Sequence, residues 1–165
     1  MTHDANVLTL RTLLGDYPNT KALKSGEIRS PSVAFDFADV KVPNTVFKDV
    51  VRHLKFDVAE LAIVTYLQAK AHGKPLVLLP AVIVGALPHP FLVYNAERGR
   101  VSPADLRGKR VGIRAYSVTT AAWVRGVLQN DHGVDLDTIN WVTFEDPHVA
   151  EYADPPTAVR APAGK

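Results

Sequence analysis

At 165 residues, 47% hydrophobic and 22% charged, the chain has an ordinary globular composition, far from the disordered class. A net charge of +2 with scattered basic residues argues against a nucleic-acid partner, and the lack of cysteine excludes disulfides, thiolate metal sites and thiol catalysis. No apolar run is long enough to span a membrane, and the polar, acidic Met1–Asn6 has no signal-peptide character, so the expected compartment is the cytoplasm.

Val7–Leu14 partly alternates apolar and polar residues and predicts a first strand, followed by a turn at Gly15-Asp16-Tyr17-Pro18. Asn19 or Thr20 can cap a short helix ending near Gly26. Ser32–Phe37 predicts a second strand, with Val33, Phe35 and Phe37 on one face. From Pro43 to Leu54, Val46, Phe47, Val50, Val51 and Leu54 recur at helical spacing. Phe56–Ala62 reads as a short buried strand, and a helix from Thr65 to His72 closes at Gly73. Leu76–Leu79, Ala81–Val84 and Phe91–Tyr94 are strand-like, and Asn95–Val101 reads as a crossing between lobes.

Ser102 caps a helical turn, Pro103–Leu106, that stops at Gly108. A strand at Arg110–Arg114 runs into a polar elbow, Tyr116–Thr120, which opens a helix carrying Trp123, Val124, Val127 and Leu128. Trp123 and Val124 are expected in the core, and Arg125 in a surface ion pair. Ile139–Phe144 predicts the last strand. The proline-rich remainder, Glu145–Lys165, has no apolar period and is expected to be loose.

Alternating strands and helices predict an α/β fold with a mainly parallel sheet. Such folds bind ligands outside the carboxyl ends of strands. That rule nominates Gly15–Tyr17, Glu60–Tyr66, the segment around His89, and the elbow. At the elbow, the hydroxyls of Ser117, Thr119 and Thr120 and the backbone N–H groups of a helix N-terminus suit an anion; the alternative is a well-capped helix without ligand.

His89, between two prolines, is a candidate proton donor, or a surface loop residue. Glu60, flanked by apolar residues, is a candidate acid with a raised pKa, or a hydrogen-bond acceptor within the fold. Asp16 and Tyr17 are candidates for the site, Tyr17 by stacking on an aromatic ligand; the alternative for Asp16 is an Asx-type turn. Thr65 and Tyr66 open a second helix and can line the ligand or simply cap and pack. The other histidines, His3, His53, His72, His132 and His148, lie in terminal segments or at helix ends and are expected to face solvent. No histidine–carboxylate set has metal-ligand spacing, so neither a metal nor another cofactor is expected.

Three segments together carry a resemblance: Gly15-Asp16-Tyr17, Phe56-Asp57-Val58-Ala59-Glu60, and Ser102 through Gly112. With Tyr116, Thr119, Trp123, Val124, Arg125 and Gly126 at matching spacing, the chain resembles 4,5-dihydroxyphthalate decarboxylases from about Leu8 to Pro156. The resemblance implies an α/β fold like that of type 2 periplasmic binding proteins: a first lobe (1–97), the opening βαβ of a second (98–146) and a proline-rich tail (147–165). It also implies non-oxidative decarboxylation of a hydroxylated aromatic carboxylate. Tyr116, Ser117, Thr119 and Thr120 would bind carboxylate, with Asp16, Tyr17 and His89 facing them. Family members are about twice this length, so the missing strands would leave apolar surface for a complementing chain or a second copy to cover, and leave this chain's own activity open. Ala115 stands where the family has an acidic residue. The alternatives are a transporter-type binding protein for a small carboxylate, without catalysis, and a fragment without independent function.

Overall fold

The computed structural model describes residues 7–162, so His3 and the extreme termini lie outside the described residues. The chain forms two compact units. The first comprises residues up to Ala62 together with Val77–Gly85; the second comprises Ile63–Leu76 together with everything from Ala86 onward.

The first unit holds β1 (Leu8–Leu13), α1 (Lys21–Lys24), β2 (Val33–Phe37), α2 (Phe47–His53) and β3 (Val58–Ala59). Its sheet is parallel throughout, in the order β2-β1-β3, with Leu8 opposite Val33 and Thr12 opposite both Phe37 and Val58. Phe35 and Phe37 share a face as the alternation predicts, their ring centroids 5.8 Å apart. Pro43 opens a 3-10 turn that feeds α2, where a fixed φ and a missing N–H cost nothing. Phe47, Val50 and Val51 are then buried along one helical stripe, and Leu13 and Leu14 are buried in the same unit. Leu54, expected on that stripe, instead ends α2 in the left-handed region (φ 48°) and is exposed.

The second unit holds α3 (Ile63–Ala71), β4 (Arg110–Ile113), α4 (Thr119–Asn130), β5 (Asn140–Thr143) and β6 (Ala158–Arg160). α3 is followed by Gly73 at φ 72°, a left-handed stop. The sheet, again parallel, runs β4-β5-β6. α4 lays Val124 and Leu128 on Val134, Ile139 and Trp141 to form the main core. Ser102 caps the turn before β4 as expected, and its N–H and hydroxyl both donate to Asp105 Oδ2, closing a capping box. No helix among the described residues is long and apolar enough to cross a membrane.

Several expectations are overturned. Leu76–Leu79, Ala81–Val84 and Phe91–Tyr94 are not strands. A strand needs a neighbour to take its N–H and C=O groups in register, and among the described residues these runs pair with no strand: Ala81 N–H turns to Leu79 O and Leu92 N–H to His89 O, while Ile83 O accepts the Asn19 side-chain amide at 2.9 Å. Their side chains stand exposed, Val77, Val82 and Val93 each above 80%. The segment after Glu145 is not loose: it buries His148 and Val149 and supplies β6. Trp123 is exposed rather than in the core, because the buried face of α4 runs through Ala121, Val124 and Leu128.

Candidate functional site

In the order β2-β1-β3 the chain leaves β1 in one direction and returns on its other side. The carboxyl ends of β1 and β3 therefore flank a topological switch point, where open α/β sheets form their ligand crevice. Gly15–Tyr17 follows β1 and Glu60 follows β3, so the first unit brings these candidates together. Glu60 Oε2 accepts the Gly15 N–H at 2.8 Å and its Oε1 accepts the Tyr17 hydroxyl at 2.9 Å. Both carboxylate oxygens thus act as acceptors, the second of the two readings of Glu60. Burial first, then the hydrogen bond to Glu60 and its charge, raises the Tyr17 hydroxyl above the ordinary tyrosine pKa.

Gly15 is buried, and a Cβ there would lie 2.6 Å from the Tyr17 ring, so only glycine lets the ring fold back to reach Glu60. Thr20, 3% exposed, closes the turn: its Oγ1 donates to Gly15 O at 2.8 Å and accepts the Tyr17 N–H at 2.9 Å. Asp16 points to solvent, 84% exposed, and pairs with Lys24. A groove of about 370 Å³ beside α1 and β2 contains none of the candidate residues. Its two cations are already engaged, Lys24 with Asp16 and Leu14 O, Arg29 with Gly26 O.

The second unit assembles a different group at the carboxyl ends of β4 and β5. After β4 the chain turns through Ala115–Val118 into α4, with Val118 as the N-cap. Ser117 is buried, Thr119 half-buried and Thr120 exposed. The Thr119 hydroxyl accepts the Val64 N–H at 3.1 Å, so the first turn of α3 abuts the first turn of α4. Thr65 is 1% exposed and its Oγ1 lies 2.9 Å from His148 Nδ1, while Tyr66 is half-buried. His89 is exposed on a 3-10 turn, not in the extended stretch before a strand that was expected, and its ring bonds to none of the other candidates.

The sequence reading missed Arg125 and His148. The Arg125 guanidinium stacks 3.7 Å from the Tyr116 ring centroid and donates from Nη1 to Tyr116 O at 2.7 Å, which fixes the elbow from behind. Tyr116 in turn meets Trp141 edge-on, 6.0 Å between centroids. Arg125 is therefore a strut of the elbow, not a surface ion-pair partner. Asp154 belongs to the same neighbourhood: burial raises its carboxyl pKa against the pull of Arg125 and Arg160, and its Oδ1 is buried without a hydrogen bond. His148, expected at the surface, is 6% exposed. The signal that could have found it is its place in the loop after β5, on the same strand end that nominated the elbow.

The chain matches the family model described as NMT1/THI5 like over residues 39–154. It is 33% identical over 138 residues to a 4,5-dihydroxyphthalate decarboxylase of Pseudomonas putida, covering 83% of this chain and 53% of that protein. It is 33% identical over 143 residues to a 4,5-dihydroxyphthalate decarboxylase of Comamonas testosteroni, covering 85% of this chain and 43% of that one. The chain thus spans about half the length of the curated relatives it matches.

Proposed function

The chain belongs to the NMT1/THI5-like family, whose fold is that of the type 2 periplasmic binding proteins, and we propose that it acts as a 4,5-dihydroxyphthalate decarboxylase-like protein. The observation that carries this reading is one-third identity to two such decarboxylases across most of its length. The α/β fold with parallel sheets, and the polar elbow at a strand's carboxyl end, agree with it.

The chemistry sets the demands. The bond between ring carbon and carboxylate breaks, its electron pair stays on the ring, CO2 leaves and a proton takes its place. The retained carboxylate must be gripped, and proton and phenolate charge must be managed near the ring. The elbow supplies the grip: Ser117, Thr119 and Thr120 hydroxyls with the free N–H groups that open α4, aimed where a negative charge is favoured. In the first unit, Tyr17 keeps its proton on the hydrogen bond to Glu60. His89, exposed on its 3-10 turn, has no part in this assignment, and Asp16 pairs with Lys24. We place the activity in the cytoplasm.

Incubating the purified chain with 4,5-dihydroxyphthalate and following protocatechuate and CO2 tests the reading. Saturable binding of the acid without product would favour the transporter-type binding protein instead. Neither binding nor product would discard the substrate.

The apolar side chains exposed at Val77–Val84 in the first unit, and at Leu87–Tyr94 in the second, are surface of a kind that folded proteins cover. We propose that polypeptide corresponding to the relatives' additional length, whether joined to this sequence or separate, pairs with these runs. Amide exchange at residues 77–94 is expected to be fast in this chain and to slow at least about tenfold when that part of a decarboxylase relative is added. Unchanged exchange would exclude this partner.

A further inference from the structure

His148 is a buried polar group that the binding reading does not use. It follows β5 at the strand's carboxyl end, and its Nδ1 lies 2.9 Å from Thr65 Oγ1. Thr65 stands on the first turn of α3, next to Val64, whose N–H donates to the Thr119 hydroxyl. That N–H is one of the orphan donors every helix leaves at its start. By taking one lone pair of Thr119 Oγ1 it turns the hydroxyl proton elsewhere. A hydroxyl that already accepts is also a stronger donor.

The first turn of a nine-residue helix frays readily unless something holds it. Here the Thr65–His148 bond does so. The loop that carries His148 is pinned again beyond the far end of α3, where Lys74 Nζ donates to Glu151 Oε1 at 2.6 Å. One short loop is therefore tied both to the first turn of α3 and to the residues just past its end, with Val149 and Ala69 fully buried.

We propose that His148 is a positioning residue for the carboxylate-binding elbow, acting through Thr65 and the first turn of α3 on the hydroxyl of Thr119. The inference rests on the elbow being the carboxylate seat and deepens that reading. Nothing in the linear sequence joins the two, since 83 positions separate Thr65 from His148.

The test is the dissociation constant for phthalate, an aromatic dicarboxylate without the phenols that decarboxylation needs, measured by calorimetry on the full chain, with thermal midpoints recorded in parallel. His148→Ala and Thr119→Val are each expected to weaken binding about tenfold, the change that follows loss of one hydrogen bond to a charged group. His148→Asn, whose amide nitrogen can stand where Nδ1 stands, is expected to bind within about threefold of the unaltered chain. In the Thr119→Val background, His148→Ala is expected to lower the thermal midpoint as before yet leave the dissociation constant unchanged. The proposal is overturned if His148→Ala leaves affinity intact, if His148→Asn fails to restore it, or if His148→Ala weakens binding equally in both backgrounds, which would mark a general loss of structure. Absence of phthalate binding by the unaltered chain, or a Thr119→Val variant that binds normally, removes the elbow reading and the inference with it.

Discussion

Replacing Trp141 by alanine is expected to lower the unfolding free energy by about 4 kcal/mol, the usual cost of emptying a buried tryptophan site. Trp141 is 1% exposed and forms the centre of the second unit's core, with Val124, Leu128, Val134 and Ile139 around it. Its indole N–H donates to Leu136 O at 3.3 Å, and that carbonyl would keep only the Ile139 N–H. The neighbours stand on α4 and on the connection that leads from it into β5, so they cannot collapse inward without moving the sheet. Tyr116 would lose its edge-on partner and Arg125 one of its two aromatic faces, so carboxylate binding is expected to weaken along with stability. Urea unfolding followed by circular dichroism measures the first effect. A loss below about 1 kcal/mol would mean that the site relaxes freely and that the elbow is not braced from this side.

Replacing Glu60 by alanine is expected to cost about 3 kcal/mol in the first unit, because two donors lose a carboxylate acceptor at once. The Gly15 N–H is buried and cannot turn to water. The Tyr17 hydroxyl would also move toward its ordinary pKa, since the hydrogen bond and the charge that help burial to raise it both come from Glu60. The sign of the pH effect follows. A group whose folded pKa is raised contributes stability that is present below the unfolded value, near 10 for tyrosine, and lost as pH climbs through the folded one. The parent chain should therefore lose stability above pH 10 more steeply than Glu60→Ala does. Phenolate absorbance titrations of both proteins check the shift, and identical curves would show that Tyr17 does not feel Glu60.

Where the fold was legible in the sequence, local rules and tertiary need agreed. The Val33, Phe35, Phe37 alternation, the helical stretch opening at Pro43 and the Ser102 cap all describe interactions made within a few residues. The apolar runs near Pro80 misled for the opposite reason. Apolar content makes a strand possible, but only a partner makes one, and no periodicity encodes the partner's presence. Trp123 was misread from its type, although helical spacing from Ala121, Val124 and Leu128 places it off the buried stripe. The strand-end rule located the two clusters, because connectivity alone decides which end of a parallel strand meets a loop. It did not reveal the roles within them. Glu60 takes two donors, and His148 finds Thr65 across more than half the chain, and both pairings depend on three-dimensional closeness.

The strand orders also set a timetable for synthesis. β1 is the middle strand of its sheet, yet both neighbours lie later in the chain, and the last, β3, ends at Ala59. Once Ala59 has left the ribosome every described strand of the first sheet has been delivered, while the second waits for Arg160. Between these two moments the apolar runs from Val77 to Tyr94 emerge ahead of every strand of the second sheet, and they give the nascent chain surface that favours aggregation.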